Sequence, residues 1–165
     1  MMRRLILIRH AKSDWDDPLL TDHQRVLAER GRDAAPKIGA WLAAQGVAPD
    51  EILCSDATRT QETWGLIAPF LGDVAPTLIS ALYHAGPDMI LSQLRRATGQ
   101  TVVILGHNPG LAEFAGLLVK TPPDHPDFDR YPTAATLIAD LPVEHWYDVG
   151  YRTALPVAFT VPRDL

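Results

Sequence analysis

Two histidines each follow a short apolar run. Leu5-Ile6-Leu7-Ile8 leads into Arg9-His10-Ala11, and Thr101-Val102-Val103-Ile104-Leu105 leads into Gly106-His107-Asn108-Pro109-Gly110. A third segment, Ser55-Asp56-Ala57-Thr58-Arg59, follows the run ending at Cys54 and brings a further arginine. A neutral imidazole is a nucleophile toward phosphorus, and covalent catalysis divides one hard displacement into two easier ones. Guanidinium groups nearby disfavour the imidazolium and so keep the ring nucleophilic. They also neutralise charge on phosphoryl oxygens in the transition state. Taken singly, each piece has a plainer explanation: a solvated strand end for Arg9-His10, an ordinary capped helix with an exposed arginine for Arg59, a structural histidine for His107. Their shared position after a strand is what points to phosphate chemistry.

Positioning these side chains requires a sheet. Unbroken apolar runs read as strands buried on both faces, as in parallel sheets. Ligands of such sheets bind beyond the carboxyl ends of the strands. If the two histidine-bearing strands are neighbours, His10 and His107 converge. Around them, the pattern alternates. A helix is predicted over roughly Glu29 to Gln45, with Ile38, Trp41 and Leu42 at helical spacing and Gly46 as its C-terminal stop. A strand follows at Glu51 to Cys54, then a helix to about Leu71 with Ser55 or Asp56 as cap. A weaker strand near Pro76 to Ser80 precedes a helix from Pro87 to Ala97. After the strand at 101–105, Asn108 is placed as N-cap and Pro109 as first residue of another helix. Thr121 to Pro132, rich in proline and aspartate, reads as a surface loop, and strands close the chain at Ala135 to Leu141 and Leu155 to Val161. Strands alternating with helices give an α/β fold, a three-layer αβα sandwich with a mainly parallel central sheet.

Composition narrows the function classes. With 165 residues, one domain spanning 1–165 with a proper core is expected. The net charge of −5 argues against broad nucleic-acid binding, which needs a basic face. A local arginine cluster still allows an anionic substrate on an acidic protein. The one cysteine, Cys54, cannot form an internal disulfide. Arg9 interrupts the first apolar run too early for a signal-peptide core, and no stretch approaches the ~20 apolar residues of a membrane span. Cytoplasmic residence, with no membrane partner, is expected.

The combined motifs resemble the histidine phosphatase superfamily, whose fold is phosphoglycerate mutase-like and whose hallmark is Arg-His-Gly after the first strand. Ala11 stands in the third place, a departure usual in the SixA-like phosphohistidine phosphatase branch. That branch's pattern is visible as Leu7-Ile8-Arg9-His10-Ala11-Lys12-Ser13-Asp14-Trp15, Asp22 to Arg25, Leu27-Ala28-Glu29-Arg30-Gly31, Ser55 to Thr63, Leu82-Tyr83-His84-Ala85, Gly106 to Leu111, and Val161-Pro162-Arg163-Asp164-Leu165. The resemblance implies a catalytic set of His10, Arg9, Arg59 and His107. His10 would be the phosphorylated nucleophile and the other three would hold the phosphoryl oxygens. Arg25 and Asn108 are expected as further substrate contacts. No metal or other cofactor is expected, and no large inserted lid. Larger relatives use a carboxylate as general acid. Asn108 stands where some carry aspartate, and the stretch Leu82 to Ala85 lacks the glutamate of others. His84 is the candidate proton donor, with Asp14 and Asp88 as alternatives. A weak acid suits a good leaving group such as imidazole or a phenol.

The resemblance therefore implies a phosphatase acting through a phosphohistidine intermediate. Its expected substrate is phosphohistidine on a protein, such as a histidine phosphotransfer protein, or an aryl or other small phosphate ester. The alternatives are a small-molecule phosphomonoesterase or mutase of the same superfamily, and a non-catalytic phosphate- or phosphoprotein-binding module. The loops at 11–22 and 121–132 would rim an open site, and Trp15 lies beside it. A cysteine phosphatase is disfavoured, because it places five residues between Cys and Arg, whereas four separate Cys54 from Arg59. A histidine-built metal site is disfavoured too: no H-E-x-x-H spacing occurs. His23, His125 and His145 are expected to be solvated.

Overall fold

The apolar runs become the middle of one six-stranded sheet in a computed structural model that describes residues 2–165. In chain order the elements are β1 (Arg3–Arg9), α1 (Glu29–Ala44), β2 (Glu51–Ser55), α2 (Thr58–Ile67), β3 (Thr77–Ile79), α3 (Pro87–Arg95), β4 (Thr101–Gly106), α4 (Gly110–Leu118), β5 (Thr136–Leu141) and β6 (Leu155–Thr160). The spatial order is β3-β2-β4-β1-β5-β6. Strands β1 to β4 are parallel, β5 is antiparallel to β1, and β6 is antiparallel to β5, so β5 alone runs against the rest.

Both faces of this sheet are covered, which is why its central strands carry no polar alternation. Leu5 and Leu7 face one core together with Val102 and Ile104. Ile6 and Ile8 face the other together with Val103 and Leu105. The first core takes Leu91 and Leu94 of α3 and Phe114 and Leu118 of α4. The second takes Ile38 and Leu42 of α1 and Trp64 and Ile67 of α2. Each fully buried side chain of this kind contributes roughly 1.5–3 kcal/mol relative to an exposed one. The expected three-layer arrangement is thus the observed one. Among the described residues, no helix is long and apolar enough to cross a membrane.

Local chemistry sets the element ends. Helix α1 stops at Gly46, whose φ of +76° suits glycine. The Gly46 N–H reaches the Ala43 carbonyl at 3.0 Å and the Val47 N–H reaches the Leu42 carbonyl at 3.1 Å, a Schellman ending. Helix α2 departs from expectation, because neither Ser55 nor Asp56 caps it. Ala57 is its N-cap, with no side-chain bond. Ser55 lies in β2, its hydroxyl turned toward His107, and Asp56 accepts from His23 at 2.9 Å. Helix α4 begins at Gly110 with Pro109 as N-cap, yet Asn108 still supplies its Oδ1 to the Ala112 N–H at 3.2 Å. Gly110 is required by a close approach, since a Cβ there would lie 1.8 Å from the Ala85 carbonyl oxygen.

The segment 121–132 is more than a surface loop. Phe128 and Tyr131 are buried in the first core, and the Tyr131 hydroxyl donates to the Leu7 carbonyl. Buried Asp127 pairs with Arg130 and Arg163. The proline and aspartate content disguised this packing. His125, expected to be solvated, has a side chain only 17% exposed and bonds Asp164 at 2.7 Å, tying this segment to the chain end.

Candidate active site

Strands β1 and β4 are adjacent and parallel, with Arg9 opposite Gly106. His10 and His107 therefore leave neighbouring strands at the same level, and their ring centroids lie 5.2 Å apart. The loop after β1 is pinned from three directions. The His10 N–H donates to the Gly106 carbonyl at 3.1 Å, and the His10 carbonyl accepts from Ala134 at 3.0 Å. The Ala11 N–H donates to Thr63 Oγ1 of α2 at 3.0 Å.

His10 Nδ1 lies 2.7 Å from the Ala11 carbonyl oxygen. A carbonyl can only accept, so Nδ1 carries the hydrogen and Nε2 carries the lone pair. Burial pushes the His10 pKa down to about 3, and the charges of Arg9, Arg59 and Arg25 add to this against the Ala11 hydrogen bond. The ring is a neutral, oriented nucleophile at any ordinary pH. His107 is likewise pushed down to about 3, by burial first and then by His10 and Arg59. Its Nε2 lies 2.7 Å from Ser55 Oγ, which also accepts the Ala57 N–H at 3.3 Å. A hydroxyl so placed can give its hydrogen to Nε2, which leaves the His107 hydrogen on Nδ1.

Arg59 sits in the first turn of α2 and is buried. Its Nη1 donates to the Asp22 carbonyl at 2.7 Å and its Nη2 to Asp22 Oδ2 at 3.1 Å. Arg9 gives one Nη1 hydrogen to the Tyr131 carbonyl at 3.3 Å, and burial lowers its pKa from the usual arginine value. Asp22 is the hub of the arginine side. It accepts from the Tyr83 hydroxyl and, through Oδ1, from Arg25 Nε at 3.0 Å, and these bonds with the charge of Arg59 hold its carboxyl well below the usual range.

Among the described residues, the buried side-chain polar atoms without a partner are Arg9 Nε, Arg59 Nε and His107 Nδ1. All three residues wall one cavity of about 280 Å³, with His10. An unpaired buried polar group costs roughly 1–3 kcal/mol. The cavity lining, with two guanidinium groups and two imidazoles, suits an anion whose charge Arg9 and Arg59 would compensate.

The other predicted residues are placed as follows. Arg25 reaches the cavity wall, but its Nη1 donates to Ser13 Oγ at 2.6 Å and its guanidinium lies 3.3 Å over the centre of the Trp15 ring. Asn108 also reaches the wall, with both amide hydrogens on the Arg130 and Tyr131 carbonyls at 3.0 and 2.9 Å. Its side chain thereby holds the loop whose Tyr131 carbonyl receives Arg9. His84 lines the cavity, its ring 3.9 Å from that of Tyr83. Asp14 and Asp88 do not line it. Asp88 accepts from the Tyr151 hydroxyl at 2.6 Å and Asp14 from the Asp16 N–H at 2.7 Å. The roles of Asp22, Tyr83 and Ser55 were not read from sequence. Each depends on contacts between segments far apart in the chain, and only the motif stretches containing them gave a signal.

Fold and cavity together define an α/β protein with two histidines and two arginines around one cavity at the carboxyl ends of the parallel strands. The model of the histidine phosphatase superfamily, branch 1, matches residues 5–83. An uncharacterised protein of Mycobacterium tuberculosis is 34% identical over 163 residues, covering 94% of this chain and 100% of the relative. A candidate phosphohistidine phosphatase SixA from Nakamurella multipartitia matches with a TM-score of 0.82 at 25% identity, over 98% of this chain and 97% of that one. The protein histidine phosphatase SixA complexed with tungstate shares the fold, with a TM-score of 0.79 at 18% identity over 98% of both chains. The chain belongs to the histidine phosphatase superfamily, and its structural likeness is to the SixA-like branch.

Proposed function

We propose that this protein is a metal-independent phosphatase that removes phosphoryl groups from phosphohistidine on a protein, through a phosphohistidine intermediate at His10. The observation that carries this reading is the anchored ring. With Nδ1–H on the Ala11 carbonyl, Nε2 keeps its lone pair, and Arg9, Arg59 and His107 line the same cavity as the ring. In the first step Nε2 attacks phosphorus, the N–P bond forms, and the bond to the leaving group breaks. The leaving group takes up a proton, with His84 in the wall as the candidate donor. In the second step water attacks the phosphohistidine, the N–P bond breaks with its electron pair returning to Nε2, one water proton restores the donor, and inorganic phosphate leaves the neutral ring. Arg9, Arg59 and His107 stabilise the phosphoryl oxygens in both steps. Arg25 and Asn108 act by position, one through its charge and its hold on Asp22 and Ser13, the other by fixing the 130–131 backbone.

The wall carries no carboxylate free to serve as a strong general acid, since Asp22 is held ionised by Tyr83 and the arginines. An imidazole or phenol leaves with little protonic help, whereas an alkoxide needs it. A structural neighbour complexed with tungstate, an oxyanion, supports the anion-binding reading. The test is a leaving-group series. A phosphohistidine peptide and p-nitrophenyl phosphate are expected to turn over at least tenfold faster than glycerol phosphate. Comparable rates on the aryl and alkyl esters contradict the proposal.

A further inference from the structure

A second groove adjoins the catalytic cavity. It has a volume of about 410 Å³ and shares Lys12 and Thr133 with the cavity wall. Its charged walls are Lys12, Arg30, Lys37 and Arg163, against the single acid Asp33. On a chain of net charge −5, two of whose three lysines are Lys12 and Lys37, this concentration of cations is local. Arg30 and Lys37 lie seven residues apart on α1, two turns along one side of the helix. Asp33 stands between them at spacings that permit pairing, three residues after Arg30 and four before Lys37. Yet among the described residues Lys12, Arg30 and Lys37 make no ion pair, and all three are exposed. Arg163 reaches Asp127, which Arg130 also contacts.

We propose that this groove, walled by Lys12, Arg30, Lys37 and Arg163, binds an acidic stretch flanking the phosphorylated residue of a protein substrate and sets the direction in which that substrate crosses the site. This rests on the phosphatase reading above. The cavity takes the phosphoryl group, and the substrate chain continues over Thr133 into the groove. Its carboxylates meet the cations of the groove. A second phosphate of a small bisphosphate is the less suitable occupant. The cavity grips its anion with buried arginine donors, whereas the groove offers exposed ammonium and guanidinium groups on long stems. Such groups steer and orient an extended acidic partner better than they clamp one compact anion.

The experiment uses two synthetic phosphohistidine peptides, identical except that glutamates or lysines flank the modified residue, with p-nitrophenyl phosphate as a reference that fills only the cavity. The wild-type protein is expected to favour the glutamate peptide in kcat/KM by about tenfold at low salt. The preference should shrink as ionic strength rises from about 0.01 to about 0.5 M, because the Debye length falls below the groove's dimensions. In Arg30→Glu/Lys37→Glu, kcat/KM for the glutamate peptide relative to p-nitrophenyl phosphate should drop at least tenfold. The milder Arg30→Gln/Lys37→Gln should lose part of it. An unchanged ratio in both variants, or a wild-type preference insensitive to salt, overturns the proposal. So does a variant that loses a small bisphosphate while keeping the glutamate peptide. Failure of the phosphatase reading looks different, as no peptide is then turned over. In that case, anisotropy of the same labelled peptides on His10→Ala still reports whether the groove selects the acidic one.

Discussion

The buried neutral histidines make a specific demand on acid stability. His10 and His107 have pKa values pushed down to about 3 in the folded protein, by burial first and then by neighbouring positive charge. An unfolded histidine titrates near 6.5. Because the folded value lies below the unfolded one, the unfolded chain takes up protons first as pH falls. The stability contributed by each neutral ring is complete above about pH 6.5 and is lost as pH drops from there toward 3. At pH 5 each ring is about 97% protonated in the unfolded chain and about 1% in the folded one. That difference corresponds to about 2 kcal/mol for His10. The perturbation is His10→Gln, which removes one titrating ring while keeping a polar side chain. Urea unfolding at pH 8 and pH 5, in phosphate-free buffer, gives the two stabilities for each protein. The variant should lose about 2 kcal/mol less than the wild type between these pH values. Asp22, which is held low, matters only below about pH 4 and is common to both proteins. Equal losses in the two proteins would refute the assignment of a neutral His10.

Three other changes test separate parts of the site. Arg59→Ala should lower kcat/KM for p-nitrophenyl phosphate by about 10²–10³-fold, and Arg59→Lys should restore little, because Asp22 and the phosphoryl group need a fork of donors; a loss under tenfold would remove Arg59 from the chemistry. Gly110→Ala should cost about 1–3 kcal/mol in a thermal melt and disturb the loop bearing Tyr83 and His84, since its Cβ would fall 1.8 Å from the Ala85 carbonyl oxygen; an unchanged melting temperature contradicts that close approach. Cys54 is buried, and burial pushes its thiol up to about 12, so iodoacetamide at pH 8 should leave both thiol and turnover untouched, whereas inactivation would reinstate a cysteine mechanism.

What the sequence disclosed, and what it did not, follows from the range of the interactions. Arg9, His10, Arg59 and His107 were legible because each follows an apolar run, and the end of a buried strand is a local signal. The αβα layering was legible for the same reason: Leu5 to Ile8 and Val102 to Leu105 alternate between two cores, so every position must be apolar. The strand order was not legible, nor was the reversal of β5, because pairing joins segments as distant as Arg3 and Leu141. The support of the site was hidden likewise. Asp22 joins Arg59 and Tyr83 across 37 and 61 residues. Ser55 reads as a helix cap by local rules, and only the adjacency of β2 and β4 gives it His107 instead. The 121–132 segment is the loop its Pro and Asp content suggests, but its anchoring in the core by Phe128 and Tyr131 was hidden.

The decisive measurement is capture of the phosphorylated protein. The wild-type protein would be mixed with ³²P-labelled phosphohistidine peptide, quenched in base within milliseconds, and digested for mapping. Phosphate that is stable in base, labile in acid and located on His10 is the expected result, with none retained by His10→Gln. Turnover without any such label, or label on another residue, would contradict transfer through the His10 ring.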